Sequence, residues 1–264
     1  MHAGLFPPLQ PPRCASLMNA AAPSAAGLEP GAIIDAAQAP APPSKRGFDL
    51  ATPDGRRRAV ADMTYVDHGL LRAAFRNFHW ISPEMARANQ PSPRRIAEYA
   101  DMGIKTILNL RGFNDSGHYW LEREACAAHG LVLVDAPLGS REPPHKERIF
   151  RAAHLFENIR YPALMHCKSG ADRAGLMAVL YLHLHCGKPI PDAMEQLSLK
   201  YLHVRQGKTG MLDYFFERYL AESDGGRMPF LDWARDVYDP AAVKAGFMGQ
   251  WWANVLVDKV LRRE

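Results

Sequence analysis

No stretch of this sequence approaches the 18 or more apolar residues that a bilayer-spanning helix requires, so no such span is expected. The first ten residues, Met1 to Gln10, lack both the positively charged start and the continuous apolar stretch of a secretory signal. Cysteine is scarce as well. Only four occur in 264 residues (Cys14, Cys126, Cys167 and Cys186), with no C-x-x-C pair and none of the density of a disulfide-stapled secreted domain. These absences together point to reduced thiols and a cytoplasmic location. Strong charge of either sign is also missing: the formal net charge is +4 and the cations are dispersed, which gives no argument for nucleic acid but suits an anionic substrate. No internal repeat is found.

What is present is ordinary for a folded protein, with 47% hydrophobic and 23% charged residues, enough to build a sizeable core. Residues 1–47 are rich in alanine and proline and read as a disordered tail, because they offer few large apolar residues to offset the entropy of ordering. Residues 48–77, with the run Arg56-Arg57-Arg58 and then Leu70, Leu71 and Phe75, read as a linker followed by a short helix. A folded domain is expected over 78–222, and a helical C-terminal extension over 223–264.

Within the domain, strand-like and helix-like patterns alternate. Phe78 to Ile81 reads as a short strand; Ser92 then offers an N-cap, Pro93 a first-turn residue and Gly103 a stop for a helix from Pro93 to Met102. Ile104 to Leu110 and Leu131 to Val134 read as buried strands around a helix from Tyr119 to His129. Ile149, Ala152, Ala153, Leu155 and Phe156 form one helical stripe, and Ala163 to His166 the next strand. Helices are expected over Ala174 to Leu184, Pro191 to Leu202 and Met211 to Leu220. The implied class is α/β, with a helical C-terminal extension.

The chemistry concentrates in ten residues, His166-Cys167-Lys168-Ser169-Gly170-Ala171-Asp172-Arg173-Ala174-Gly175, between an expected strand and an expected helix. A tight strand-to-helix loop turns successive backbone N–H groups into one concavity at a helix N-terminus, which suits a tetrahedral dianion. The same field favours a thiolate at Cys167, and the thiolate is the nucleophilic form. Arg173 can turn back and clasp two phosphate oxygens with a planar fork that lysine lacks. Gly170 admits a positive φ and a close backbone approach. His166 is expected to order the loop by hydrogen bonding to its backbone, and Lys168, Ser169 and Ala171 to line the anion site.

These residues match H-C-x-x-G-x-x-R, and the chain resembles the cysteine-based protein tyrosine phosphatase superfamily, most of all its compact dual-specificity branch. The resemblance runs over roughly residues 78–220, because Gln90-Pro91-Ser92, the run ending Asn109-Leu110-Arg111-Gly112 and the helix start at Glu142-Pro143-Pro144 follow in the same order. It implies a small central mixed sheet flanked by helices on both sides and a phosphocysteine intermediate hydrolysed by water, with no metal and no cofactor. It also puts the general acid in question. Asp172, just before the loop arginine, is the first candidate, as in some lipid phosphatases of the superfamily. Asp135, which precedes Cys167 by 32 residues, is the second; Glu142 follows, because Ser140 stands where the acid would align. Ala174 replaces the usual Ser or Thr, which implies slower breakdown of the intermediate or relief by another donor such as Ser169.

Lys168 favours substrates with extra negative charge, and Arg111, at the end of a strand, is a candidate to collect the substrate. The substrate class stays open between a phosphorylated protein and a lipid or small-molecule phosphate. His183, His185 and Cys186 have the wrong helical spacing for a metal. Phe247, Trp251 and Val255 make a stripe followed by cations, suited to docking on the domain, a bilayer surface or a second copy of the chain. The rival to an enzyme is a module that binds phosphorylated ligands with little turnover, favoured by Ala174 and the displaced acid.

Overall fold

The computed structural model describes residues 43–261; the expected alanine- and proline-rich tail lies outside the described residues up to position 42. Two helices come first, α1 (Pro53–Ala61) and α2 (Gly69–Ala74), joined through a π-helical turn over Asp62–Val66. There follow β1 (His79–Trp80), β2 (Met85–Asn89), α3 (Pro93–Asp101), β3 (Thr106–Asn109), α4 (Gly117–Ala128), β4 (Val132–Asp135), α5 (Lys146–Asn158), β5 (Ala163–Cys167) and α6 (Asp172–Leu184). The chain ends in the short α7 (Ile190–Ala193), then α8 (Met211–Glu222), α9 (Phe230–Asp236) and α10 (Pro240–Leu261).

The strands form one sheet in the order β1-β2-β5-β3-β4, with β1 antiparallel to β2 and the other neighbours parallel. Alternation along each strand divides the interior in two. Met85, Leu108, Val132, Val134, Ala163, Met165 and Cys167 face a core shared with α5, α6 and the C-terminal helices. Ala86, Ala88, Ile107, Leu133 and Leu164 face a second core with Ile96 and Tyr99 of α3 and Tyr119 and Cys126 of α4. A large side chain fully buried in either core, such as Phe156 or Tyr99, contributes roughly 1.5–3 kcal/mol. This is the mixed sheet with helices on both faces that the sequence implies.

Three expectations need correction. The strand Met85–Asn89 is absent from the sequence reading, because Met-Ala-Arg-Ala-Asn has no β-branched or aromatic residue. The helix expected over Pro191 to Leu202 is only α7 followed by 3₁₀ turns at Met194–Gln196 and Leu199–Tyr201. There Arg87 takes the Gln196 carbonyl at 2.8 Å, and Leu202 is left-handed at φ 64°. The stretch read as a linker is folded onto α4 instead. Ala59 of α1 lies so close to Gly117 that a Cβ on that glycine would sit 2.1 Å from the Ala59 carbonyl oxygen, and Asp62 accepts from the Gly117 amide at 2.8 Å.

At the C-terminus, Phe215, Tyr219, Phe230, Trp233 and Tyr238 form an aromatic cluster, edge to face except where Trp233 tilts against Phe215, Phe230 and Tyr238, and Tyr238 donates to the Pro144 carbonyl at 2.9 Å. Phe247 is buried and Trp251 packs against the same core, so these two residues of the expected stripe dock on the domain. Among the described residues no helix is long and apolar enough to cross a membrane. Cys126 and Cys167 are free buried thiols, whereas Cys186 is disulfide-bonded, contrary to the expectation of four reduced thiols.

Candidate active site

The C-terminal ends of the parallel strands meet at one edge of the sheet, where β5 ends at Cys167 and the chain turns through Lys168 to Ala171 into α6. The loop is held from outside by its carbonyls. Lys168 O accepts from the Gln90 amide at 3.3 Å and Ser169 O from Asn77 Nδ2 at 3.1 Å. Gly170 O and Ala171 O accept from Arg87 Nη2 at 2.8 and 2.9 Å. In a planar trans peptide the next N–H points opposite to the carbonyl. Four outward carbonyls therefore turn the N–H groups of Ser169, Gly170, Ala171 and Asp172 toward the inside of the turn. Gly170 has φ +75°, and a Cβ there would meet the Ala88 carbonyl at 2.8 Å, so the position requires glycine.

Arg87 is fully buried, with its guanidinium 4.1 Å from the centre of the Tyr201 ring and Nη1 donating to the Gln196 carbonyl. Burial lowers its pKa to about 10, which still leaves it charged at neutral pH. Over the loop opens a cleft of about 430 Å³ lined by His68, Arg72, Lys168, Ser169, Asp172 and Arg173. Cys167 is 2% exposed, at the strand end beneath it. Ala171, the residue before α6, makes no side-chain cap, so the first turn of that helix offers its N–H groups and positive dipole end to the cleft.

Asp172 is the expected acid candidate that lines this cleft; Asp135, Glu142 and Arg111 do not. Asp172 Oδ1 is 2.8 Å from His203 Nδ1, whose Nε2 is 2.7 Å from Asp213 Oδ2. Burial works against a charge on His203, but the hydrogen bonds to the two carboxylates outweigh it and push its pKa up to about 9. Asp135 belongs to the other face of the sheet. Its neighbour Val134 faces the Cys167 side, so Asp135 points toward α4, accepting from Asn109 Nδ2 at 2.8 Å and the Tyr119 hydroxyl at 2.9 Å. Burial raises its pKa, an effect these donors oppose.

Two supporting residues differ from expectation. His166 does not brace the loop backbone: alternation turns it away from the Cys167 side toward α4, where its Nε2 lies 2.6 Å from Glu122 Oε1, both side chains fully buried. Arg111 is already occupied, its fork bound to Asp67 at 2.8 Å on each arm and to Gln90 Oε1 at 3.0 Å. Gln90 passes the contact on to Glu122 at 2.7 Å. Asp67 is the hub, reaching Arg72 at 2.7 Å and Lys168 at 3.5 Å as well. Burial opposes its charge, yet the Arg111 fork and Arg72 hold its carboxyl well below the usual range. Ala174 is completely buried.

A family model described as a Swiss Army Knife protein, DSP-PTPase phosphatase domain, matches residues 75–207, half of the chain. The chain belongs to that family. It is 25% identical over 129 residues to the dual specificity protein phosphatase TpbA of Pseudomonas aeruginosa, covering 46% of this chain and 53% of the relative. It thus spans about half the length of the curated relatives it matches. Among solved structures, the crystal structure of P. aeruginosa TpbA is 20% identical, with 61% of this chain and 89% of that chain covered and a TM-score of 0.44. A TpbA variant in complex with phosphotyrosine gives 20%, 60%, 88% and 0.43, and Tk-PTP in its active form gives 21%, 54%, 97% and 0.43.

The matched span begins at Phe75, so Asp67, His68 and Arg72 stand just before it. Sequence reasoning missed these three, and also Asn77, Arg87, Glu122 and His203. For Arg87 a signal existed: an arginine alternating with small and apolar residues in a stretch too short to be a helix. Asp67, Asn77 and Glu122 carry none, because Arg111, Ser169, Tyr201 and His166, their partners, are distant in the chain.

Proposed function

We propose that this chain hydrolyses phosphate monoesters through a phosphocysteine intermediate, with Cys167 as nucleophile. The observation that carries the reading is the loop from Cys167 to Arg173, whose four carbonyls are tied outward so that its amides converge above a buried thiol. Family membership and the resemblance to a dual specificity protein phosphatase support it.

In the first step the Cys167 thiolate attacks phosphorus and the ester P–O bond breaks. Arg173 and the loop amides hold the three equatorial oxygens, where the charge of the transition state gathers. The leaving oxygen takes a proton from Asp172. Oδ1 is engaged by His203, which leaves Oδ2 as the carboxyl oxygen open to the leaving group. In the second step water attacks phosphorus, the P–S bond breaks, Asp172 takes the water's proton, and inorganic phosphate leaves. Lys168 and Arg72 add positive charge at the rim of the cleft. Neither step calls for a metal or a cofactor.

Turnover of an aryl phosphate in the presence of chelator, compared between the wild type and Cys167→Ser, tests the reading. Activity that survives chelation and falls by a factor on the order of 10³ or more in the variant is the expected result. The rival reading, a phospho-ligand-binding module, draws on Ala174 and on the outward-turned Asp135. It predicts tight binding of a phosphate analogue with no release of phosphate from any ester.

A further inference from the structure

A second cleft of about 350 Å³ adjoins the catalytic one and shares Arg72 with it as a common wall. Four guanidinium groups line it, those of Arg72, Arg76, Arg94 and Arg95, against one carboxylate, Glu98. Glu98 is divided between Arg76 at 2.9 Å and Arg94 at 3.2 Å, so one negative charge serves two cations. Arg95 is 7% exposed, and one of its bonds is a donation to Asn89 Oδ1 at 3.1 Å. Arg72 is bound to Asp67 through its terminal nitrogens, but its Nε is buried with no hydrogen-bond partner. Ser92 lines the same cleft and makes no side-chain cap at the start of the nine-residue α3, whose first-turn amides add a further positive field.

We propose that this cleft is a second anion subsite, and that the substrate is a phosphate ester carrying a second phosphate. One phosphate sits over Cys167 and the other among Arg72, Arg76, Arg94 and Arg95. The inference rests on the phosphatase reading and deepens it. A surplus of planar forks suits a dianion with three acceptor oxygens better than a single carboxylate. Arg72 lines both clefts, so the two phosphates are assigned to one compact skeleton, such as a phosphorylated polyol or sugar or the head of a lipid.

The test compares kcat/KM for an inositol monophosphate, an inositol bisphosphate, a short-chain lipid ester of the same bisphosphate, and phosphotyrosine peptides with and without flanking glutamates. Wild type is set against Arg76→Glu/Arg94→Glu, two side chains that are 54% and 89% exposed, so charge reversal there spares the core. The bisphosphate should exceed the monophosphate by about tenfold or more, chiefly through KM, and the double variant should bring the ratio close to one. The preference persisting in the lipid ester assigns a lipid source, and its loss there a soluble one. A ratio near one in wild type, a ratio the variant leaves unchanged, or a larger variant-sensitive gain for the acidic peptide overturns the proposal. Calorimetry of the bisphosphate and of inorganic phosphate on Cys167→Ser keeps the two readings apart. If no ester is hydrolysed, the phosphatase reading fails, while tighter binding of the bisphosphate, weakened by Arg76→Glu/Arg94→Glu, still supports the subsite; equal binding of both probes overturns it.

Discussion

The phosphate loop and the segment from Asp62 to Arg76 meet at the same cleft but are built in opposite ways. The loop is contiguous: nucleophile, amides and guanidinium come from seven successive residues whose spacing is fixed by covalent geometry. The segment contributes His68 and Arg72 to the cleft; Arg72 is paired with Asp67, and Asp67 owes its place to partners far along the chain, Arg111 and Lys168. Chemistry that needs fixed spacing is therefore written locally, whereas charge assembled across the fold is not. Both designs still depend on supports outside their own stretch, and that dependence is where the comparison can be broken.

The largest effect is expected at Arg87, which holds the loop from below. Arg87→Met frees the Gly170, Ala171 and Gln196 carbonyls at once, each having accepted a charged hydrogen bond worth roughly 1.5–3 kcal/mol. Urea unfolding should show a loss of about 3 kcal/mol or more, with kcat/KM falling by about 10³ as the amides lose their alignment. Arg87→Lys should not rescue either quantity, since one ammonium cannot span three carbonyls. Activity near that of wild type would mean that the loop holds its shape without this support.

Next come the two aspartates. On an alkyl phosphate, whose leaving group needs a proton, Asp172→Asn should cost about 10² in kcat and far less on an aryl phosphate. Asp135→Asn should act equally on both esters and weakly, because its carboxylate serves Asn109 and Tyr119. A selective loss on the alkyl ester in Asp135→Asn instead would make that residue the acid, through a rearrangement of the loop that follows it. Asp67→Asn should cost about tenfold in kcat/KM and about 1–3 kcal/mol of stability, by leaving Arg111 and Arg72 without their shared counter-ion. No change in activity would detach the 62–76 segment from the chemistry.

How much of this was legible follows the same division. The α/β alternation was readable because β3, β4 and β5 are apolar runs bounded by glycine, proline or polar turns, and the Cys167-to-Arg173 loop because its chemistry is periodic in sequence. Strand β2 was not, since Ala86 and Ala88 owe their burial to neighbouring strands rather than to strand propensity. The role of His166 went wrong for a related reason: its own sequence places it beside the nucleophile, but strand alternation sends it to the opposite face, to a glutamate on α4. Arg111 likewise had the right edge of the sheet and the wrong partner. The acid was open in the sequence because Asp172, just before the loop arginine, and Asp135, 32 residues before Cys167, each fitted the resemblance; in the structure Asp172 lines the cleft, whereas Asp135 is held by Asn109 and Tyr119.

His203 should give the smallest effect, and the one that best separates charge from geometry at the cleft. Its pKa is pushed up to about 9 in the fold, against an ordinary value near 6.5 when unfolded. The stabilisation it brings is therefore complete below about pH 6.5 and is lost as pH rises through about 9. The ion pairs with Asp172 and Asp213 should accordingly account for a decline on the order of 2 kcal/mol in unfolding free energy between those limits. His203→Gln keeps a hydrogen-bonding group between the two carboxylates but no charge, so its stability should start lower at pH 6 and stay flat to pH 9. Parallel slopes for variant and wild type would assign the alkaline loss to other groups. A flat variant that also loses its activity on alkyl esters would mean that Asp172 depends on the imidazolium, and not only on being held in place.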